Sequence, residues 1–536
     1  MAKLHEESYG SMSDPLKPAH EYLHRREQFP SYERVDWKHA PAKYKQYNDC
    51  ECISLGYAAL AAQGQSDPCT PVQLGRLLAD TYGVTRQRWT AAESYNAAVA
   101  GSTMPVLNPA ERAFKQELLR PVPSGGGLFP CELYLITNED QAIPGGVYHY
   151  DALHHALDSI QRGSYLSELI DAVAPIQCRT SDPLYALVLS CAFQKDAFKY
   201  GEFGYRLQGL DIGIVLAQCL EVLQSLHLQG YVQYQFLDEV INSLLGLDSL
   251  YESAYVVVLI TQEERSHVSS RSMSEPILRW WKPEARREQL HLPISCWPFS
   301  AQLHQASIWR EKTDFVPATS VAQPELQGKA IALKKAPALH LAQGSADRHS
   351  ARHYFLPGAI QEVALSAILE AAARGHTSDR ADTETTLGCQ IYCIINNVTG
   401  FTPGVYCYQP SSAHLLLRRE EDMRVYMQQL VAPMGYNNAY HISIYICLVG
   451  RYENGFSVYG NRWYRMLNLE AGMAIQRVYL AAALLGLGCH TSLAYPIEGM
   501  DRILQLPAGY TTLAQIMIAP EWIAGQYYEA AVRSLS

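Results

Sequence analysis

The sequence predicts two tandem α+β domains that pair with each other inside one chain, a pseudo-dimer, and three observations predict it. Gly146-Val147-Tyr148-His149-Tyr150 returns as Gly404-Val405-Tyr406-Cys407-Tyr408, 258 residues later. Tyr200-Gly201-Glu202-Phe203-Gly204-Tyr205-Arg206 returns as Tyr459-Gly460-Asn461-Arg462-Trp463-Tyr464-Arg465, 259 residues later. Two blocks in one order at a nearly constant offset mark a duplication, and 536 residues exceed what a single compact core holds.

Residues 1–50 form a polar extension without the apolar segment of a signal peptide, which argues against export. The first domain, 51–265, opens on a helix ending near Gly83. It continues through the strands Glu132 to Ile136, Gly146 to Tyr150 and Leu184 to Leu189, and closes with a long apolar helix and a last strand. The second domain, 326–536, repeats that order with the helix Gln361 to Ala373, the strands Gln390 to Ile394, Gly404 to Tyr408 and Ile442 to Cys447, and the apolar stretch Leu467 to Leu487. Helices and strands in this order favour α+β domains over a doubly wound sheet. Asn468, Glu470, Gln476 and Arg477 interrupt the apolar stretch, so it reads as a buried helix and not a membrane span. Between the domains, 266–325 is a connector rich in Ser, Pro, Trp and Arg, with a helical piece near Gln302 to Lys312; its length and aromaticity predict that it packs on a domain or lids the site.

Hydrophobic residues at 48% and charged residues at 18% describe a globular chain, and a net charge of −10 argues against a nucleic-acid partner. Of 13 cysteines, only Cys50-x-Cys52 and Cys389-x3-Cys393 fall close together, without the second pair that a zinc finger needs. They read as reduced core thiols of a cytoplasmic protein.

Two motifs carry chemistry. Arg348-His349-Ser350-Ala351-Arg352-His353-Tyr354 sets two guanidiniums and a hydroxyl on alternate positions, a phosphate grip or else a solvated basic turn. Pro123-Ser124-Gly125-Gly126-Gly127 stands before a strand, where consecutive glycines let backbone N–H groups approach a flat ligand, or simply supply positive φ.

On these residues the chain resembles the nitroreductase superfamily of FMN enzymes, and within it the SagB-type dehydrogenases that oxidise peptide thiazolines and oxazolines to azoles. RHSARHY matches the superfamily's FMN motif, RPVPSGGGLFPCELYLI the Pro-Ser segment of that branch, and LEAGMAIQRVYLAAALLGLG its long central helix. The resemblance implies FMN at the interface of two copies. Arg348, His349, Ser350 and Arg352 would come from one copy and Pro123, Ser124, Gly125 and Gly126 from the other, with Gln476, Gly488, Ser492 and Leu493 lining the second-copy side. It also implies catalytic roles for Lys199 and Tyr200. Azoline aromatisation needs a base for a carbon-bound proton and a flavin to take hydride, and Lys199 would serve as base only if its pKa fell from about 10.4.

Each copy keeps one half of the site. Counting from the helix ends Gly83 and Gly375, Arg348, Ser350 and Arg352 fall opposite Gly56, Ala58 and Leu60, while counting from Tyr134 and Tyr392 the glycine loop falls opposite Ala381-Asp382-Thr383-Glu384-Thr385. The two offsets, 292 and 258, give the first copy 34 extra residues between Val84 and Arg120, which can shape a substrate pocket. One composite FMN site is expected, with a small-molecule or peptide heterocycle as substrate, and a carrier or cyclodehydratase as partner if the substrate is a ribosomal peptide. Two alternatives stay open: an NAD(P)H-dependent nitro- or quinone reductase, and a flavin-free scaffold. Glu521 favours the scaffold because it stands after the last strand, where some superfamily members carry basic residues.

Overall fold

Both copies fold into the same antiparallel sheet, in a computed structural model that describes residues 35, 40–47, 50–56, 71–90, 115–138, 143–175, 182–262, 279–281, 297–318, 328–351, 354–381, 384–431, 438–522 and 527–531. The first sheet runs Arg279–Trp281, Cys52–Ser54, Ala156–Arg162, Gly146–Asp151, Cys131–Thr137, Tyr185–Ala192, Glu252–Gln262, Leu228–Gln233. The second runs Lys329–Ala332, His414–Glu420, Gly404–Gln409, Gln390–Ile395, Ile444–Gly450, Thr511–Ala519, Gly488–Ser492. Remove the connector strand Arg279–Trp281 and the two orders coincide. Two strands follow each long helix where the sequence suggests one, because the short strand that comes first carries little apolar alternation around Gly230 or Cys489.

The long helices are Phe203–Ser225 and Arg462–Leu484, each buried on nearly every face. That all-round burial accounts for their apolar composition; Phe203–Ser225 is long and apolar enough to cross a membrane, yet is 89% buried inside the fold. The helices cross at a pair of glycines. A Cβ on Gly213 would lie 1.8 Å from the Leu469 carbonyl oxygen, and one on Gly472 would lie 2.1 Å from that of Leu210. Only glycine permits backbones to approach this closely.

Around the crossing, equivalent residues exchange across the two-fold relation. Tyr205 stacks on Tyr464, with centroids 5.8 Å apart. Arg206 of the first copy donates to the Leu513 carbonyl of the second, and Arg465 donates to the Ala254 carbonyl of the first at 2.6 Å. Both arginines are structural, as their repetition suggests, and each partner is the opposite copy's strand. Arg462 and Arg465 also share the buried Asp238, at 2.6 and 3.0 Å. A single apolar cluster runs from Ile53 to Ile518 between the sheets, so the copies share one core.

The connector's helix is Pro298–Ala306, followed by a turn at Lys312–Asp314, which begins and ends earlier than its composition suggests. Proline opens it at the first helical position, and the Glu202 carboxylate receives the Phe299 and Ser300 N–H groups, both at 2.8 Å. Its His304 ring lies against Tyr205, at the start of the first long helix. Three further strands form a small sheet shared by the copies: Tyr527–Ala531 pairs with Arg86–Thr90, which pairs with Lys115–Leu119.

The glycine crossing gives a direct test by thermal unfolding. Gly213→Val should cost more than the about 1–3 kcal/mol typical of overpacking, because the obstacle is backbone. Gly127→Ala, where φ is +71° with nothing within 4 Å, should lose only about 1–2 kcal/mol of backbone strain.

Candidate functional site

The glycine loop folds as one tight turn. Gly126 and Gly127 have φ of 61° and 71°, which favours glycine. Ser124 Oγ donates to Asp211 Oδ2 at 2.5 Å and accepts the Phe129 N–H at 2.8 Å. The Gly125 N–H also donates to the Asp211 carboxylate, at 3.1 Å, while the Gly127 and Leu128 N–H groups return to the Ser124 and Gly125 carbonyls. The turn therefore spends four N–H groups, those of Gly125, Gly127, Leu128 and Phe129, internally and on Asp211, where the sequence suggests a row of them facing a ligand. Burial raises the Asp211 pKa to about 7, against the lowering pull of the bonds from Ser124 and Gly125.

Lys199 and Tyr200 end the helix Phe193–Tyr200, against this turn. A Cβ on Gly126 would lie 2.4 Å from the Tyr200 hydroxyl and 2.8 Å from Lys199 Nζ, so the glycine makes room for both polar heads. Lys199 Nζ stands 4.8 Å from the centroid of the Tyr200 ring. One helical turn earlier, buried Lys195 pairs with Glu132 at 2.5 Å. Burial would raise the Glu132 pKa, but Lys195 and His149 outweigh it and hold it at about 2.

The second copy brings Arg348, His349 and Ser350 to the same place. Arg348 is buried, and its Nε and Nη1 have no hydrogen-bond partner among the described residues. Its Nη2 donates to the Arg120 carbonyl at 3.3 Å, and its own carbonyl accepts from Arg86. Burial first, and then the neighbouring Arg86 and Arg88, lower the Arg348 pKa to about 10. Cationic groups crowded out of water, with donors to spare, call for an anion. Arg120 is sandwiched by the rings of Tyr44, Tyr82 and Phe129, at 5.1, 4.0 and 4.7 Å. Ser350 Oγ lies 3.2 Å from the Tyr479 hydroxyl. Arg352 lies outside the described residues.

These pieces enclose a cleft of about 910 Å³. Pro123, Ser124 and Gly126 line it from the first copy with Lys199, and Arg348, His349 and Ser350 line it from the second. Gly125, Tyr200, Gln476, Gly488, Ser492 and Leu493 are not among its lining residues. Gln476 is fully buried and donates to Gln218 at 2.7 Å and to the Pro121 carbonyl at 3.4 Å, which steadies the approach to the glycine turn. Gly488 backs the arginine segment, with Ala351 and Glu521 pressed against it, and Ser492 Oγ accepts the Ala494 N–H.

Sequence reasoning missed three contributors: Arg88, Arg120, and the strap that carries Lys43 and Tyr44 in the polar extension. Arg88 lies within the segment predicted to hold the insertion and Arg120 closes it, and that position is the signal that could have found them. Glu521 pairs with His349 at 2.7 Å, so its charge is met locally.

The copies differ for a visible reason. Glu470 accepts the Gly388 N–H as Asp211 accepts that of Gly125, so the second copy's counterpart of the glycine turn falls at Gly388, downstream of the acidic run expected there. Where the first copy has Gly204, the second has fully buried Trp463, seated on Gly455 and lying beneath Arg380, which is itself paired with Glu470. Indole fills the space beside this second turn. On the other side, Gly56 is described, whereas Ala58 and Leu60 lie outside the described residues.

Fold and site together define a tandem α+β pseudo-dimer with a cationic cleft on the seam between its copies. The sequence profile of the nitroreductase family matches residues 76–261 and 346–519, once in each copy, and the chain belongs to that family. It is 31% identical over 156 residues to the trifolitoxin-processing protein TfxB of Rhizobium leguminosarum bv. trifolii, covering 28% of this chain and 42% of TfxB. It is 29% identical over 133 residues to the microcin B17-processing protein McbC of Escherichia coli, covering 24% of this chain and 49% of McbC. The chain thus spans less than half the length of either relative. A Methanocaldococcus jannaschii protein named as a nitroreductase is 33% identical over 165 residues, 30% of this chain and 81% of its own length. The crystal structure of a nitroreductase-type protein from Anabaena variabilis superposes with a TM-score of 0.73 at 19% identity, over 96% of this chain and all of that one, and so has the same two-copy fold.

The His349–Glu521 pair yields a pH prediction. The bond to Glu521 raises the His349 pKa despite partial burial. A raised histidine stabilises the fold below its unfolded value of about 6.5, and that contribution fades as pH rises through the folded value. Thermal midpoints of wild type and His349→Asn should differ by the equivalent of about 0.2–1 kcal/mol near pH 6 and converge in alkaline buffer.

Proposed function

We propose that the chain is an FMN-dependent dehydrogenase that oxidises an azoline-type heterocycle to its aromatic form in natural-product biosynthesis. The observation that carries this reading is that Lys199 and the Gly126 turn, from one copy, line one cleft with Arg348 and Ser350 from the other. The residues fit FMN: the orphaned Nε and Nη1 of Arg348 suit a phosphate, Ser350 adds a hydroxyl, and glycine at 126 keeps the turn free of a side chain. FMN, when bound, supplies a two-electron acceptor. On this reading Lys199 takes the carbon-bound proton, and Tyr200, whose hydroxyl shares the space over Gly126 with Lys199 Nζ, orients the ring or relays that proton. Arg88 and Arg120 add positive charge to the cleft and draw an anionic ligand toward it.

The relatives named for trifolitoxin and microcin B17 processing support a peptide-borne substrate, and a cleft of about 910 Å³ can hold a flavin ring with a heterocycle beside it. On this reading a cyclodehydratase forms the azoline upstream, in the cytoplasm. The resemblance to the Methanocaldococcus protein favours a second reading, an NAD(P)H-dependent nitro- or quinone reductase.

Flavin released from purified chain separates these readings from a flavin-free scaffold. One FMN per chain supports the composite site, two would break its asymmetry, and none favours the scaffold. Arg348→Ala or Arg352→Ala should abolish flavin retention, and changes at Gly56 should leave it intact. Lys199→Ala should keep the flavin and lower azoline oxidation by roughly 10²–10⁴-fold. Rapid anaerobic bleaching of the flavin by NADPH would replace the dehydrogenase with the reductase.

A further inference from the structure

Away from the cleft, strand register assembles a second group of reactive side chains. Cys50 and Cys52 are two positions apart at the entry to the strand Cys52–Ser54, a spacing that in extended chain directs both side chains to one face. Cys52 stands opposite Asp158 on the neighbouring strand, and Asp158 stands opposite His149 on the next. Three adjacent strands therefore present two thiols, a carboxylate and an imidazole in a row. Cys50 Sγ lies 3.8 Å from Cys52 Sγ, and Cys52 Sγ lies 2.9 Å from Asp158 Oδ1. All three donor atoms fall within 4.8 Å of one another.

Distance discriminates between the chemistries open to such a group. A disulfide needs sulfurs about 2.0 Å apart. Two thiolates on one tetrahedral ion, with metal–sulfur bonds of about 2.3 Å, stand about 3.8 Å apart, which is the separation found here. We propose that Cys50, Cys52 and Asp158 bind one zinc-type divalent cation, with the Tyr47 carbonyl oxygen, 3.7 Å from Cys50 Sγ, as the fourth ligand. The Cys52–Asp158 contact is shorter than the about 3.5 Å edge of such a tetrahedron, so the carboxylate draws back as the ion enters and the thiols release their protons.

The surroundings suit that ion. Cys52 and Asp158 are fully buried and Cys50 is half-buried, which leaves a way in at one corner. His149 Nδ1 lies 3.1 Å from Asp158 Oδ2, and its Nε2 lies 3.2 Å from Glu132, so the imidazole fixes the carboxylate's free oxygen as supporting groups do at metal centres. Thiolates select a soft or borderline ion over magnesium or calcium. Bound there, it would fasten the short strand Cys52–Ser54 to the strap 40–47, whose Lys43 and Tyr44 line the cleft.

The test uses full-length protein, thiols reduced and stripped with chelator, titrated with Zn²⁺ and separately with Co²⁺. One ion per chain is expected, and the cobalt form should show thiolate-to-metal charge-transfer absorption. Cys50→Ser should abolish that absorption, and the near-isosteric Asp158→Asn should weaken Zn²⁺ binding about tenfold or more, with circular dichroism confirming both folds. Absence of Zn²⁺ uptake by the reduced wild type, or unchanged affinity in both variants, would overturn the proposal. Should the variants fail to fold, a wild-type cobalt spectrum without the thiolate band overturns it alone.

Discussion

Everything in this molecule hangs on the contact between Gly213 and Gly472, where two long helices meet backbone to backbone. A side chain at either position would drive the helices apart by the width of a methyl group or more, and each would lose the apolar face it buries. Because interiors are close-packed and not fluid, that separation could not be absorbed locally. The exchanged arginines lock the same contact from outside: Arg206 and Arg465 each cap a carbonyl in the opposite copy's strand, and Asp238 binds two guanidiniums at once. Removing one partner from such a buried group typically costs about 3–5 kcal/mol. Each copy keeps a smaller apolar cluster of its own, around Tyr134 and Val257 in the first and Tyr392 and Met517 in the second, but the largest cluster is shared by both.

The cleft follows from that pairing. Arg348, His349 and Ser350 of its wall belong to the second copy, its glycine turn and the cations Arg88, Arg120 and Lys199 to the first, and the small sheet formed by Arg86–Thr90, Lys115–Leu119 and Tyr527–Ala531 is itself shared. Fusion in one chain frees the two halves to diverge. Divergence is visible as complementary volume changes: Asp196 and Gly204 in one copy correspond to Gly455 and Trp463 in the other, so the indole enters where a glycine beneath it makes room. A symmetric dimer could not make such a change on one side only, since every substitution would appear twice.

Much of this was legible from residues. The offset between GVYHY and GVYCY fixed the duplication, and the strands and long helices fell close to where alternation and apolar runs put them. The glycines of PSGGG and the arginine motif marked the two halves of the cleft. Less legible were contributors whose importance depends on distant neighbours. Arg88 and Arg120 lie within and at the end of an inserted segment with no pattern of its own, and Lys43 and Tyr44 lie in a segment that composition describes only as polar. Counting residues also misplaced the second copy's turn, because loops change length freely while the contact from Glu470 to the Gly388 N–H does not.

The sequence by itself determined the α+β class, the internal repeat and the chemistry available, because periodicity and residue type act locally and survive without coordinates. Only the tertiary structure decided which backbones touch, which guanidiniums are left with spare donors, and that an arginine of one copy lines the same cleft as a lysine of the other. Those outcomes depend on packing between segments hundreds of residues apart. Burial turns Arg348 from a solvated cation into one with unmet hydrogen bonds, and no local pattern encodes burial.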